Sequence, residues 1–242
     1  MLRRVARVAT AGEATRRDGV ELWTLVPPER GSELALVSVR LEPGATLSVD
    51  DALHDTLLLV HAGAGTLDGA PLEGRCAGLV AAGRTGTLTA GAAGLECVTA
   101  TAGAETDLHA PMGAAETAVA LDHVEPGQAT GARSFQVLYG PHNGSTRATL
   151  FVGYIPPGKA PWHYHLYDEI VWVPDGPGRL HLEGGSDELA AGAAFRLRPR
   201  QVHIVENASD SEMTIIGIFT PAGSPSAAYL TADVAAEYRI AG

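Results

Sequence analysis

Apolar residues in this chain come in short runs rather than at helical spacing. Leu34-Ala35-Leu36-Val37, Leu57-Leu58-Leu59-Val60 and Met213-Thr214-Ile215-Ile216 are each bounded by turn-forming residues. Runs of that length between Gly, Pro and Asp mark the strands of a sandwich or barrel. Two stretches alone, Met112–Val119 and Thr231–Tyr238, have the make-up of short helices. The pattern predicts an all-β protein, and the spread of 29 glycines and 15 prolines in turn-like clusters agrees with it.

The pattern also repeats. A shift of 113 positions, the separation of Gly31 from Gly144, brings a long stretch into register without gaps. Gly31, Ser32, Ala35, Val39 and Pro43 meet Gly144, Ser145, Ala148, Val152 and Pro156. Leu53, Asp55, Val60, Gly63, Gly65 and Leu67 meet Leu166, Asp168, Val173, Gly176, Gly178 and Leu180. Turn glycines recurring in order read as a duplicated domain. The polar, Gly/Pro-bearing segment Val124–Gly131 suits a linker, so the expected domains are residues 1–124 and 131–242. A chain of 242 residues is long enough for two small barrels, each with its own core.

Charge and cysteine usage narrow the partners. A net charge of −11 argues against nucleic acid, whose phosphates require a concentrated basic surface. No apolar run approaches the roughly 18 residues of a membrane helix, and Arg3, Arg4 and Arg7 are followed by no apolar stretch of a secretory signal. Cys76 and Cys97, the two cysteines, make no disulfide framework. The expectation is a cytoplasmic protein with buried thiols, no membrane or nucleic-acid partner, a small-molecule substrate and a homodimeric state.

The chemistry concentrates in Gly158-Lys159-Ala160-Pro161-Trp162-His163-Tyr164-His165-Leu166-Tyr167-Asp168-Glu169. In a strand, alternate side chains share a face, so His163 and His165 project together and Trp162 and Tyr164 project oppositely. A tight turn then brings Glu169 back toward the same point from the next strand. Two imidazoles and a carboxylate so placed suit Fe, Mn, Co, Ni or Zn. His203, beside the apolar run Ile215–Phe219, is the candidate fourth ligand. The parity that sends Glu169 inward sends Val171 and Val173 with it. Phe195 and Leu197 are expected to face the same cavity, with Arg196 and Arg198 turned away. Arg198 facing in instead would offer a substrate carboxylate a charged pair. Tyr167 and His181 are candidate acid–base partners.

These spacings resemble the cupin superfamily. The family's first motif runs glycine, five residues, His-X-His, three or four residues, Glu, six residues, glycine; His163, His165, Glu169 and Gly176 fit it. Its second motif is met by Gly192, His203 and Asn207. Three positions depart: Gly158 lies one residue too close to His163, Arg198 stands for the proline, and Arg200 for the second-motif glycine. The resemblance implies two double-stranded β-helix (jelly-roll) barrels in tandem, a bicupin. One divalent transition metal would lie in the second barrel, on His163, His165, Glu169 and His203. In the first copy the same positions read Asp50, Ala52, Thr56 and Gly94, so the first barrel should hold no metal and serve structure or dimerisation.

Three histidines and one carboxylate leave open positions on an octahedral ion, which favours an enzyme. The leading expectation is an oxygen-using dioxygenase of a small organic molecule. The alternatives are a metal-assisted isomerase or lyase/decarboxylase on a hydroxy-, keto- or sugar-acid, and a non-catalytic small-molecule binding protein. Fold does not choose among them.

Overall fold

The computed structural model describes residues 5–6, 13–103, 109–129 and 132–232. Strands of the first half are β1 (Val5–Ala6), β2 (Thr15–Arg17), β3 (Val20–Val26), β4 (Ala35–Leu41), β5 (Thr46–Asp50), β6 (His54–Leu67), β7 (Ala70–Leu72), β8 (Cys76–Val80), β9 (Thr85–Gly103) and β10 (Ala118–Ala120). Those of the second are β11 (Gly127–Gln128), β12 (Ser134–Tyr139), β13 (Thr149–Ile155), β14 (Gly158–Lys159), β15 (His163–Tyr164) and β16 (Asp168–Val173). They continue with β17 (Gly178–Leu182), β18 (Gly185–Leu189), β19 (Ala193–Leu197), β20 (His203–Asn207), β21 (Met213–Thr220) and β22 (Tyr229–Leu230). The class is all-β, as the short apolar runs require.

Two of the sheets have matching topologies. One runs β10-β8-β6-β9-β4-β3-β2, the other β1-β19-β16-β21-β13-β12-β11. Each strand of the first has its counterpart at the same place in the second, which is the duplication seen in the sequence. The outermost strands are exchanged. β1 pairs with β19, Val5 opposite Phe195, while β10 pairs with β8, Ala118 opposite Gly78. Val5 and Ala118 are themselves 113 positions apart. Each copy's leading strand therefore completes the other copy's sheet. A third sheet, β18-β17-β20-β15-β22, forms the second face of the second barrel. In the first barrel β6 and β9 run on through both faces, bulging at Val60/Ala62 and Gly63/Gly65. Such bulges bend a strand pair. Gly63, at φ 72, is required there, because a Cβ would sit 2.2 Å from the Gly94 carbonyl oxygen.

Strand alternation sorts the core into three clusters. Leu58, Val60, Leu67, Leu72, Leu88, Leu95 and Cys97 fill the first barrel; burial pushes the Cys97 thiol up to about 12. Phe151, Val171, Val173, Phe195, Leu197 and Phe219 lie inside the second. Residues of opposite parity, including Leu36, Leu57, Leu59, Leu150, Ile170, Trp172 and Ile216, pack the two matching sheets against each other. At the rim of this contact, Arg196 Nη1 donates to Asp168 Oδ2 at 2.8 Å and Arg196 Nη2 donates to the Pro27 carbonyl at 3.0 Å. Ser32 Oγ bonds to both Asp168 and Arg196.

The expected helix at Met112–Val119 is absent. Residues 112–117 form a loop that enters β10. Its amides are taken up by a neighbouring turn rather than by residues four back: Met112 N–H donates to Pro141 O at 2.8 Å, and Glu116 N–H to Asn143 O at 3.1 Å. Of the other expected helix, residues 233–238 lie outside the described residues. No helix among the described residues is long and apolar enough to cross a membrane.

Candidate metal centre

His163 on β15 lies directly opposite His203 on β20. Residues so paired present their side chains on one face, and His165, two residues on from His163, shares it. The ring centroids are 4.4 Å apart for His163 and His203, 5.1 Å for His163 and His165, and 5.2 Å for His165 and His203. One ring nitrogen from each lies within 4.8 Å of the others. A backbone bond from Arg200 N–H to His165 O, 2.6 Å, ties the turn before β20 to the β15 segment. Arg200 itself holds φ 65, the left-handed geometry in which a non-glycine residue costs about 1–2 kcal/mol.

Each imidazole is oriented by a carbonyl. His163 Nδ1 bonds to Pro161 O at 2.8 Å, His203 Nδ1 to Gln201 O at 2.9 Å and His165 Nδ1 to Ala227 O at 3.2 Å. A carbonyl only accepts, so Nδ1 carries the proton in all three rings and the lone pair lies on Nε2. Such outer hydrogen bonds fix the tautomer and ring direction of a metal-binding histidine. Three inward Nε2 lone pairs are a donor set that fits a divalent transition metal. Glu169, 4% exposed, approaches from one side, its Oε2 3.8 Å from His165 Nε2. It stands just outside the compact trio of rings.

Burial dominates the electrostatics. It lowers all three imidazole pKa values, that of His165 to about 4 with help from His163, and that of His203 well below its usual value. Burial, then the neighbouring Asp168, pushes Glu169 up to about 8. At pH 7 the metal-free centre thus holds three neutral imidazoles and a protonated carboxyl. Metal uptake at that pH is expected to release about one proton, from Glu169, because a ligand must be deprotonated. Titrating metal into weakly buffered protein with a pH indicator measures it; no proton release would mean that Glu169 is already ionised without metal. Stability without metal follows the same signs. Glu169, raised from 4.5, stabilises the fold at low pH and loses that contribution as pH rises through about 8. His165, lowered from 6.5, loses its contribution as pH falls toward about 4.

The trio opens into a cavity of about 90 Å³, several times the roughly 10–15 Å³ that one water needs. Of the residues expected there, Tyr167, Val171 and Leu197 line it together with His163, His165, Glu169 and His203. Tyr167 is stacked between His165 and Phe219, with centroids at 4.6 and 3.9 Å. Burial and then Glu169 raise its hydroxyl pKa far above the ordinary value, so it keeps its proton. Val173 and Phe195 are buried in the barrel interior but lie away from the lining. Two expected residues face elsewhere. His181 points out from β17, between inward Leu180 and Leu182, and pairs with Glu206 at 2.6 Å. Arg198 follows Arg196 on the outer parity of β19, 3.5 Å from Asp168 and 3.2 Å from the Arg30 carbonyl; Phe195 and Leu197 take the inner positions.

Tyr164, on the face opposite the histidines, stacks on Tyr229 at 5.5 Å. Among first-half histidines, His54 bonds to Asp51 and His61 packs on Trp172. No group of three metal-binding side chains forms there among the described residues. Sequence reasoning missed two parts of the cavity wall: Arg133, at the turn into β12, and the strap bearing Pro225, Ala228 and Leu230. Neither belongs to a motif with a spacing to read.

Residues 150–219, which carry all four candidate ligands, match the family described as Cupin domain. A comparison with curated proteins finds no match. Among solved structures, oxalate decarboxylase of Lactobacillus farciminis in complex with formate aligns at TM-score 0.79 and 12% identity, over 99% of this chain and 91% of that one. A variant of Bacillus subtilis oxalate decarboxylase aligns at TM-score 0.75 and 14% identity, over 95% and 80%. The Cupin domain match thus lies in the second of two matching jelly-roll barrels, and the fold of the whole chain is the tandem, two-barrel fold of the structures it aligns with.

Proposed function

We propose that this protein is a metal-dependent enzyme that cleaves carbon dioxide from a small carboxylic acid. One observation carries the reading: three neutral imidazoles aim their Nε2 lone pairs, beside Glu169, into a mostly apolar cavity. The overall likeness to oxalate decarboxylases supports the decarboxylase alternative more than the dioxygenase that ligand type alone favours. His163, His165 and His203, with Glu169 once ionised, would hold one divalent ion (Fe, Mn, Co, Ni or Zn). When bound, it would act as a Lewis acid for substrate oxygens.

The chain's own residues supply the rest. The apolar walls leave a bound substrate few polar neighbours other than the histidines, Glu169 and Arg133, which strengthens charge interactions there. Tyr167 keeps its proton, so its hydroxyl donates to a substrate oxygen and does not serve as a base. The packed first barrel acts as scaffold for the second.

The test supplies the metal-loaded protein with small mono- and dicarboxylates, oxalate included, and follows carbon dioxide and oxygen together. Carbon dioxide formed without net oxygen uptake is the expected result. Oxygen consumed in step with substrate would transfer the assignment to a dioxygenase. No turnover, with metal removal changing thermal stability alone, would make the protein a binding module.

A further inference from the structure

Arg133 is the one lysine or arginine among the described residues that line the cavity of the histidine trio. It is half-buried and sits where the chain turns into β12, its own carbonyl accepting from Ala129 N–H at 3.0 Å. Its Nη2 donates to Val205 O at 2.9 Å, and Val205 lies on β20 two residues beyond His203. That is the sole hydrogen bond of its side chain among the described residues, and no described carboxylate stands within ion-pair distance of it. A guanidinium has five N–H donors, so a partly buried one with a single carbonyl partner has donors to spare.

The surroundings define what would satisfy them. Phe135, Phe151, Val171, Leu197, Ile215 and Leu230 make the remaining wall largely apolar. Burial lowers Arg133 to about 10, which still leaves it charged at neutral pH, and its charge adds to the lowering of all three imidazoles.

We infer that Arg133 is the specificity-determining residue of this site, pairing with a substrate carboxylate, and that the substrate is a small monocarboxylate with an apolar body. The inference rests on the decarboxylase reading for its place in the reaction, but not for the binding preference it predicts. A planar guanidinium matches a carboxylate with paired, charge-assisted bonds. In the metal-free site a dicarboxylate would bring a second anion against apolar walls that offer no second cation among the described residues.

The experiment is calorimetric titration of the full-length protein, zinc-loaded and metal-free in parallel, with butyrate, butyramide and succinate. Metal-free wild-type protein is expected to prefer butyrate over butyramide by about 10–100-fold, the range for a charged hydrogen-bonded pair, and to prefer butyrate over succinate; the zinc-loaded titration shows what the ion adds. Arg133→Met should abolish the first preference while metal content stays unchanged. Arg133→Gln keeps an N–H for the Val205 carbonyl and loses the charge, so it serves if the methionine variant does not fold. An undiminished preference in a folded variant, or none in wild-type protein, overturns the inference. If the protein takes up neither zinc nor any of the other divalent ions named above, the proposed function fails, and the metal-free titration still decides the role of Arg133.

Discussion

Replacing His203 with alanine is expected to remove most of the metal from the full-length protein. Metal analysis of wild-type protein should give about one equivalent per chain, held by the one trio of imidazoles found among the described residues. His203 is 2% exposed and directly opposite His163, so no neighbouring side chain can swing in to replace its Nε2. Losing merely an outer-shell partner of a metal ligand costs about 10–100-fold in affinity; losing the ligand itself should exceed that. His54→Ala and His61→Ala act as controls and should leave metal content unchanged, since these side chains bond to Asp51 and pack on Trp172. Equal loss in all three variants would show that the metal lies elsewhere.

Arg196→Ala should be the most destabilising single change outside the apolar core. The Arg196 and Asp168 side chains are 8% and 9% exposed and 2.8 Å apart. Removing one partner of a buried pair leaves an uncompensated charge and costs about 3–5 kcal/mol. Arg198, 3.5 Å from Asp168 and more exposed, relieves part of that cost. Because Asp168 precedes Glu169 and Arg196 also holds the Pro27 carbonyl, the variant should loosen the contact between barrels together with the metal centre. Denaturant unfolding measures the loss, and a change below about 1 kcal/mol, the scale of an exposed ion pair, would mean that the pair is not buried in solution.

The histidine trio was legible in the sequence because local geometry encodes it. The His163–His165 alternation depends on nothing but strand parity, and Glu169 follows within one turn. His203 required the second motif, whose spacing is again local. The same parity argument placed Val171 and Leu197 on the cavity wall. Arg198, alternating with the inward Phe195 and Leu197, faces outward by the same parity. His181 likewise flanks the inward Leu180 and Leu182, and its partner Glu206 lies on a different strand. Arg133 and the strap at Pro225–Leu230 reach the site by tertiary folding, from segments with no motif. The Ala227 carbonyl that orients His165 belongs to that strap, and a backbone acceptor leaves no trace in residue identity. The segment at Met112–Val119 misled for a related reason: its composition allows a helix, but the turn at Pro141–Asn143 offers its amides better-placed acceptors.

The exchanged outer strands bear on how such a protein can be divided. β1 lies along β19, and β10 lies along β8. A cut in the linker between the two halves would not yield two finished barrels. It would leave β19 without the cover that arrives from residues 5–6 of the other fragment. An uncovered strand offers unpaired N–H and C=O groups to any passing chain. The isolated C-terminal half should therefore be prone to self-association through that edge, and a peptide spanning residues 1–17 should suppress it. A duplication that lends strands in both directions has made its two copies mutually dependent parts, no longer interchangeable modules.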